Sequence, residues 1–360
     1  MPIELRVLTA DDWQAWRRVR LAALAEAPSA FGSRLADWQD APEARWRERL
    51  SIPGALDLVA VDGDRPVGMA SGVPDEDDAD VAELISMWVD PAARRQGVAG
   101  ALIARVVDWA VAAGRADLRL SVMPDNAAAR RTYERSGFVV LDRPGDLLPD
   151  GRHELLMRRD LRADRTLDTY EQRAGTYTAR TPVHRAALVD DLLALVPAGA
   201  RVLELGSGPG RDALALEAAG LRVDRTDGAR SFVEQLRAEG HVARVLDVRT
   251  GMFGSGYDAV FANAVLLHVQ RSELTGVLRR ALVAVRPGGV LAATLKRGDG
   301  DAWSTAKVDR ARHFTYWTED ELAQVVVDAG WGDVVVRETT EPGAGERWLT
   351  VTAHRAEDPR

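Results

Sequence analysis

The sequence predicts two α/β domains in tandem, and three observations lead there. The chain has 360 residues, more than one ordinary core organises, so length alone favours two domains. Two glycine loops, Arg94-Arg95-Gln96-Gly97-Val98-Ala99-Gly100 and Glu204-Leu205-Gly206-Ser207-Gly208-Pro209-Gly210, each join a strand-like run to a helix-like one. Strand and helix patterns follow different orders in the two halves, so neither half repeats the other. The expected boundaries are 1–162, a short charged linker at 163–168, and 169–356.

In the first half, residues 3–8 alternate as a strand and residues 13–27 have helical spacing, entered through Thr9 or Asp11 and stopped by Pro28. Residues 44–50 suggest a second helix. Runs 56–61 and 67–73 flank Asp62-Gly63-Asp64, a tight-turn signal for a hairpin. Strand 81–89, helix 97–113, strand 118–122, helix 127–135 and two closing strands at 139–140 and 155–157 complete the order β-α-α-β-β-β-α-β-α-β-β.

Arg94-x-x-Gly97-x-Ala99, followed by Asn126-x-x-Ala129-x-x-x-Tyr133-x-x-x-Gly137-Phe138, resembles the GNAT family of acyl-CoA-dependent N-acyltransferases over roughly residues 3–161. The resemblance implies an α+β fold with a mixed, mostly antiparallel sheet, and acetyl-CoA as acyl donor. It assigns Arg94, Arg95, Gln96, Gly97, Val98, Ala99, Gly100 and Asn126 to acetyl-CoA. Free N–H groups at a helix start, and its dipole, suit a pyrophosphate. The backbone of Met87, Trp88 and Val89 is expected to face the pantetheine, although Trp88 also fits plain packing. Acyl transfer needs a neutral amine and a protonated leaving thiolate. By resemblance Tyr133 is the acid and Glu83, eleven residues before Arg94, the base; a core tyrosine and a strand-edge glutamate are the competing readings. Phe31-Gly32-Ser33 is a candidate acceptor wall or a simple loop.

The second half begins with a lid-like helix carrying Tyr170, Arg173, Tyr177 and His184, then a helix at 186–195. Strands at 202–205, 221–226, 242–246, 259–263 and 290–295 alternate with helices at 213–219, 231–239 and 273–285. Such alternation implies a parallel sheet covered on both faces. A turn is expected at 286–289, a helix at 319–329, and a terminal hairpin from strands 332–338 and 347–354 around Glu341-Pro342-Gly343-Ala344-Gly345.

Glu204-x-Gly206-x-Gly208-x-Gly210, Asp227 seventeen residues on, Asp247, Leu266-Leu267-His268 and Arg286-Pro287-Gly288-Gly289 together resemble the class I S-adenosylmethionine-dependent methyltransferases over roughly 169–354. The resemblance implies a Rossmann-like, mostly parallel seven-stranded sheet with a C-terminal hairpin. It assigns Glu204, Gly206, Ser207, Gly208, Gly210, Asp227, Asp247 and Asn263 to S-adenosyl-L-methionine, with Asp227 on the ribose and Asp247 on the adenine amino group. A glycine triplet alone equally suits a nicotinamide cofactor; the later motifs and the hairpin disfavour that. His268 is the candidate base, against a structural histidine. Asp212 caps or lines the cofactor loop, against a plain first-turn acid favoured by the helix dipole. Trp303, Phe314, Tyr316 and Trp317 form an acceptor wall or core, and His313 and Lys296 fit the same two readings.

Composition narrows the rest. Net charge is −8, with no general attraction to nucleic acid or anionic lipid, although Arg94, Arg95, Arg130 and Arg131 are a possible basic patch. There is no cysteine, hence no disulfide or thiolate chemistry, which suits a reducing cytoplasm. No signal-peptide core opens the chain, and no run reaches the ~18 apolar residues of a membrane helix. No His/Asp/Glu spacing suggests a metal. The favoured expectation is a bifunctional transferase acting on a small-molecule amine or related acceptor. The alternatives are one active domain beside a cofactor-sensing or acceptor-binding module, and modification of a protein N-terminus or tRNA. Oligomeric state is not legible.

Overall fold

The computed structural model describes residues 3–148, 150–181, 186–340 and 346–357, in two compact units, Met1–Arg162 and Ala163–Arg360. His184 and the hairpin turn at 341–345 lie outside the described residues.

The first unit contains, in order, β1 (Glu4–Leu8), α1 (Trp13–Glu26), α2 (Glu43–Arg49), β2 (Leu56–Asp62), β3 (Arg65–Pro74), β4 (Val81–Val89), α3 (Val98–Ala112), β5 (Asp117–Val122), α4 (Ala127–Arg135), β6 (Val139–Leu147) and β7 (His153–Asp160). This is the expected order. The seven-stranded sheet runs β1-β2-β3-β4-β5-β7-β6 and is antiparallel except where β4 meets β5. Strand alternation divides the core. Val59, Met69 and Trp88 face Trp16 of α1 and Trp46 of α2 on one side. Leu58, Ala70 and Leu84 face Leu102 and Val106 of α3 and Tyr133 of α4 on the other.

Two irregularities shape this sheet. Between the pairs Met69↔Trp88 and Ser71↔Ile85, β4 carries one residue more than β3, and Ser86 takes a left-handed φ of +56°. That is a β-bulge, which bends the strand and re-aims side chains. The parallel ladder of β4 and β5 covers only 81–83 with 117–119, so the strands part beyond Glu83 and the later backbone of β4 has no β5 partner.

The second unit contains α5 (Arg162–Arg180), α6 (Ala187–Leu193), β8 (Arg201–Leu205), α7 (Arg211–Ala218), β9 (Arg222–Asp227), α8 (Arg230–Ala238), β10 (Ala243–Val245), β11 (Tyr257–Ala262), α9 (Arg271–Ala284), β12 (Val285–Arg297), β13 (Asp301–Ser304), β14 (Arg312–Trp317), α10 (Glu319–Asp328), β15 (Gly332–Thr340) and β16 (Arg347–His354). Strands β10-β9-β8-β11-β12 are parallel; β16 adds antiparallel to β12, and β15 antiparallel to β16, as the expected hairpin. Alternate residues of β8 serve opposite faces: Leu203 and Leu205 pack towards α9, Val202 towards α6.

Three expectations change here. The sheet has nine strands, not seven, because 301–317 forms the hairpin β13–β14. Past the end of β11, β14 takes a place beside β12 through Lys296↔Tyr316 and Arg297↔Trp317. The turn expected at 286–289 lies inside β12. The charged stretch at 163–168 is not an exposed join but part of helix α5, with Ala163 and Thr166 buried. Asp164 is drawn in by Arg249, at 2.8 Å, from much later in the chain. Among the described residues, no helix is long and apolar enough to cross a membrane.

Candidate functional sites

In the second unit a cavity opens where β8, β9 and β11 end, the usual ligand position in a parallel sheet. Its lining includes Tyr170 and Tyr177 of α5, Gly206 and Gly208 of the first loop, Asp227, Phe232, Asp247, Asn263 and His268. The loop is built to hold its shape. Gly206 has φ +69°, and a Cβ there would lie 2.7 Å from Val265 Cγ2. Gly210, at φ +79°, would meet Leu236 at 2.6 Å. Gly206 therefore needs glycine for conformation and for space, and Gly210 for conformation.

Asp227 ends β9 with each carboxylate oxygen on a backbone N–H: Gly208 donates to Oδ2 and Ala229 to Oδ1, both at 2.8 Å. Burial raises its pKa to about 6, against the lowering effect of those two N–H groups. A carboxylate fixed beside the loop, with lone pairs left over, fits a ribose diol. Asn263 is tied through Asp212, at 2.8 Å, and Thr294, at 2.7 Å. Asp212 makes its contact from the first turn of α7.

Other assigned residues stand differently. Glu204 is 2 % exposed and does not line the cavity; Ser207 donates to its carboxyl, and burial raises it to about 8. Glu204 and Ser207 brace the loop through their mutual hydrogen bond, and Gly210 caps α7. Asp247 faces the cavity, but its Oδ2 pairs with Arg249 Nη2 at 2.7 Å and its Oδ1 accepts from Arg249 N at 2.8 Å. Arg249 in turn bridges to Asp164, so Asp247 braces α5 against the sheet end.

His268 sits opposite the loop in a chain of hydrogen bonds. Its Nδ1 is 2.6 Å from the carbonyl of His313, which only accepts, so Nδ1 carries the proton. Its Nε2 then accepts from the hydroxyl of Tyr170 at 2.8 Å, and Arg312 Nη1 donates to the same phenol oxygen at 3.1 Å. Burial above all pushes His268 down to about 3, against the raising effect of the His313 carbonyl and with a smaller push from Arg312 and Lys296. The imidazole is neutral, and its one lone pair is already engaged. That geometry orients Tyr170 rather than presenting a free base. The ring of Tyr170 meets those of Tyr177 (5.4 Å), Phe232 (6.2 Å) and His268 (5.4 Å), giving the cavity an aromatic wall. Phe314 lies against His268 at 4.8 Å and is buried with Trp317, so both belong to the packing behind the wall. Tyr170 was visible in the sequence as one residue of a polar helix; its partner Arg312 had no signal at all.

In the first unit the glycine loop opens α3. Gly97 is its N-cap at φ +84°, and a Cβ at Gly97 or Gly100 would meet nothing within 4 Å. The N–H groups of Val98, Ala99 and Gly100 open the helix and lack intrahelical acceptors by position. Backbone can therefore approach an anionic ligand here. Arg95 takes a left-handed φ of +63°, and Gln96 donates back to the Ala92 carbonyl at 3.0 Å. Arg94 is tethered to the Val89 carbonyl at 3.0 Å and to Glu26 at 2.8 Å, and the same Glu26 oxygen accepts from the Trp88 indole at 3.0 Å. The loop is thereby fixed to the diverging part of β4, where Met87, Trp88 and Val89 lie; the Trp88 side chain itself is core.

Asn126 caps α4 by accepting from Ala129 N at 3.1 Å. Tyr133 is 8 % exposed, edge-on to Phe138 at 5.9 Å, and burial raises its pKa. Glu83 is half-buried on the stretch where β4 and β5 still pair; burial raises it most, Asp75 adds to that, and Arg119 opposes. Phe31 lies against Arg20 near the end of α1, at 4.6 Å. No group of side chains suited to a metal ion occurs among the described residues.

The acetyltransferase (GNAT) family model matches residues 16–138, and a methyltransferase domain model matches residues 177–335. A mycothiol acetyltransferase of Beutenbergia cavernae is 33% identical over 131 residues, 36% of this chain and 42% of that protein. The match therefore spans less than half of that relative's length. Among solved structures, a 1,6-didemethyltoxoflavin-N1-methyltransferase of Burkholderia thailandensis, bound to its namesake and S-adenosylhomocysteine, is 23% identical with a TM-score of 0.44, covering 55% of this chain and 88% of that one. A GNAT-family acetyltransferase of Streptococcus pneumoniae is 18% identical with a TM-score of 0.38, covering 44% and 99%.

Proposed function

We propose that this chain, which carries a GNAT-family acetyltransferase domain followed by a methyltransferase domain, is a bifunctional transferase. The first domain moves an acetyl group from acetyl-CoA to an amine of a small molecule. The second moves a methyl group from S-adenosylmethionine to a nitrogen or oxygen nucleophile. The observation that carries the reading is the pairing, in each unit, of a glycine loop with the strand ends it faces: Gly97 beside the parting of β4 and β5, and Gly206–Gly208 beside Asp227.

In acyl transfer the amine nitrogen bonds to the acetyl carbon, the C–S bond breaks, and one proton leaves the amine while one reaches the CoA sulfur. Glu83, held above the ordinary carboxylate range by burial, is proposed to receive the first. Tyr133, whose burial keeps it protonated, is proposed to supply the second. The N–H groups of Val98, Ala99 and Gly100, with Arg95, are proposed to hold the pyrophosphate.

In methyl transfer the sulfonium supplies an already activated carbon, so alignment and exclusion of water do most of the work. Asp227 is proposed to fix the ribose, and Tyr170, oriented by His268 and Arg312, to position the acceptor. His268 is not proposed as a free base, since its Nε2 is engaged and its protonation is disfavoured. A reducing, cytoplasmic setting is part of the proposal, supported by the absence of cysteine. A screen of small amines with both donors, read by mass, tests it: additions of acetyl and of methyl are expected. If purified chain binds neither donor, the reading fails.

A further inference from the structure

The face of the first sheet that packs on α1 and α2 carries a buried group of charged side chains outside the assigned residues. Asp57, Ser71 and Ile85 stand in register across β2, β3 and β4. Glu83, two residues before Ile85, shares their face. Arg49, at the end of α2, donates to Asp57 at 3.1 Å and to Ser71 Oγ at 2.9 Å. Its Nη2 also lies 3.4 Å from Ser86 Oγ, on the bulge of β4. Ser71 donates to the same Asp57 oxygen at 2.5 Å. The carboxylate is thus already shared.

Arg20, on α1, is 8 % exposed, and its Nη1 is buried with no hydrogen-bond partner. Its guanidinium lies over Phe31 at 4.6 Å. Burial, and then the like charge of Arg49, lower it to about 10, with no carboxylate opposing them. Arg49 is thus paired with Asp57, whereas the Arg20 guanidinium has no carboxylate partner among the described residues. Buried arginines are otherwise almost always paired.

We propose that Arg20 and Arg49 receive a carboxylate of the acyl acceptor, so that the first domain acetylates the amino group of an amino-acid-like molecule. The proposal rests on the acyltransferase reading. A single negative charge matches the unpartnered Arg20 guanidinium, and the guanidinium fork matches a carboxylate. The face is that of Glu83, and Arg49 reaches the bulge where β4 turns towards the donor loop. Phe31 supplies an apolar side to the same place.

The test uses the full-length chain with acetyl-CoA and reads release of the CoA thiol. The acceptors are glycine, β-alanine, 4-aminobutyrate and the common α-amino acids, each beside its primary amide, with phosphoethanolamine and ethylenediamine added. At least one carboxylate acceptor is expected to exceed its amide roughly tenfold or more in kcat/KM. Arg20→Gln is expected to abolish that preference by raising the acceptor KM, with the KM for acetyl-CoA unchanged; Arg20→Lys retains part of it. Because Arg20 is buried without a carboxylate partner, Arg20→Gln is also expected to melt no lower than the parent chain. Equal use of amides, a preference for phosphoethanolamine or ethylenediamine, turnover of none of them, or a preference that survives Arg20→Gln overturns the proposal. Failure to bind acetyl-CoA in calorimetry would instead remove the acyltransferase reading beneath it.

Discussion

Gly206→Ala is the substitution whose cost the structure specifies most fully. A β-carbon at Gly206 would lie 2.7 Å from Val265 Cγ2 and 2.8 Å from Val265 Cβ, closer than side-chain carbons pack. Val265 is β-branched, and its Cβ is fixed to the backbone, so relief requires the chain to move. The left-handed φ of +69° adds about 1–2 kcal/mol for a residue with a Cβ. Overpacking adds about 1–3 kcal/mol. Gly220 separates the two effects, because its φ is +89° while a Cβ there would meet nothing within 4 Å. Gly220→Ala should therefore show the backbone cost alone. At about 2–4 °C per kcal/mol for a domain of this size, the clash should make Gly206→Ala melt roughly 2–12 °C below Gly220→Ala in scanning calorimetry. Combining Gly206→Ala with Val265→Gly should return most of that difference as a coupling energy. If Gly206→Ala proves no more costly than Gly220→Ala, the close approach of the loop to Val265 is wrong, and with it the fixed cradle.

Three further outcomes follow from the sites. Binding of S-adenosylhomocysteine should weaken as pH falls through about 6, because Asp227 has a raised pKa and is charged only above it. Asp227→Asn should bind weakly with no such dependence; calorimetry at pH 5, 6 and 8 decides. The imidazole resonances of His268 should not titrate between pH 5 and 8, since a group lowered to about 3 stays neutral throughout. A midpoint near 6.5 would show the ring free of Tyr170 and exposed. Tyr133→Phe should lower kcat of acyl transfer by about 10²–10⁴ while leaving acetyl-CoA affinity intact, and an unchanged kcat would remove its role as acid.

The sequence disclosed local patterns well and long-range pairing poorly. The element order of the first unit followed from the hairpin signal Asp62-Gly63-Asp64, the helix starts and the strand alternation, all short-range features. Gly206 and Asp227 were legible together because a tight loop needs glycine and an acid ends the following strand, and the strand ends bring the two together. Hairpin β13–β14 was not legible. Arg312, His313 and Thr315 are buried polar residues among Phe314 and Trp317, so no alternation marks the strand. The run at 163–168 looked exposed because Asp164 is charged; its partner Arg249 is remote in sequence. Arg20 lies on a helix whose buried positions are otherwise Trp16, Val19, Ala23 and Leu24, and nothing in its neighbours reveals that it faces inward. The bulge at Ser86 and the parting of β4 from β5 likewise depend on register, which sequence spacing does not show.

The central claim is that one chain holds two formed donor sites. Scanning calorimetry of the full chain with acetyl-CoA and S-adenosylhomocysteine, separately and together, tests it most directly. Each ligand at about 100 times its dissociation constant should add about 2.7 kcal/mol to the unit that binds it, and the two shifts should fall on different transitions. A ligand that shifts nothing at saturating concentration would contradict the claim for its unit and leave a transferase of one activity.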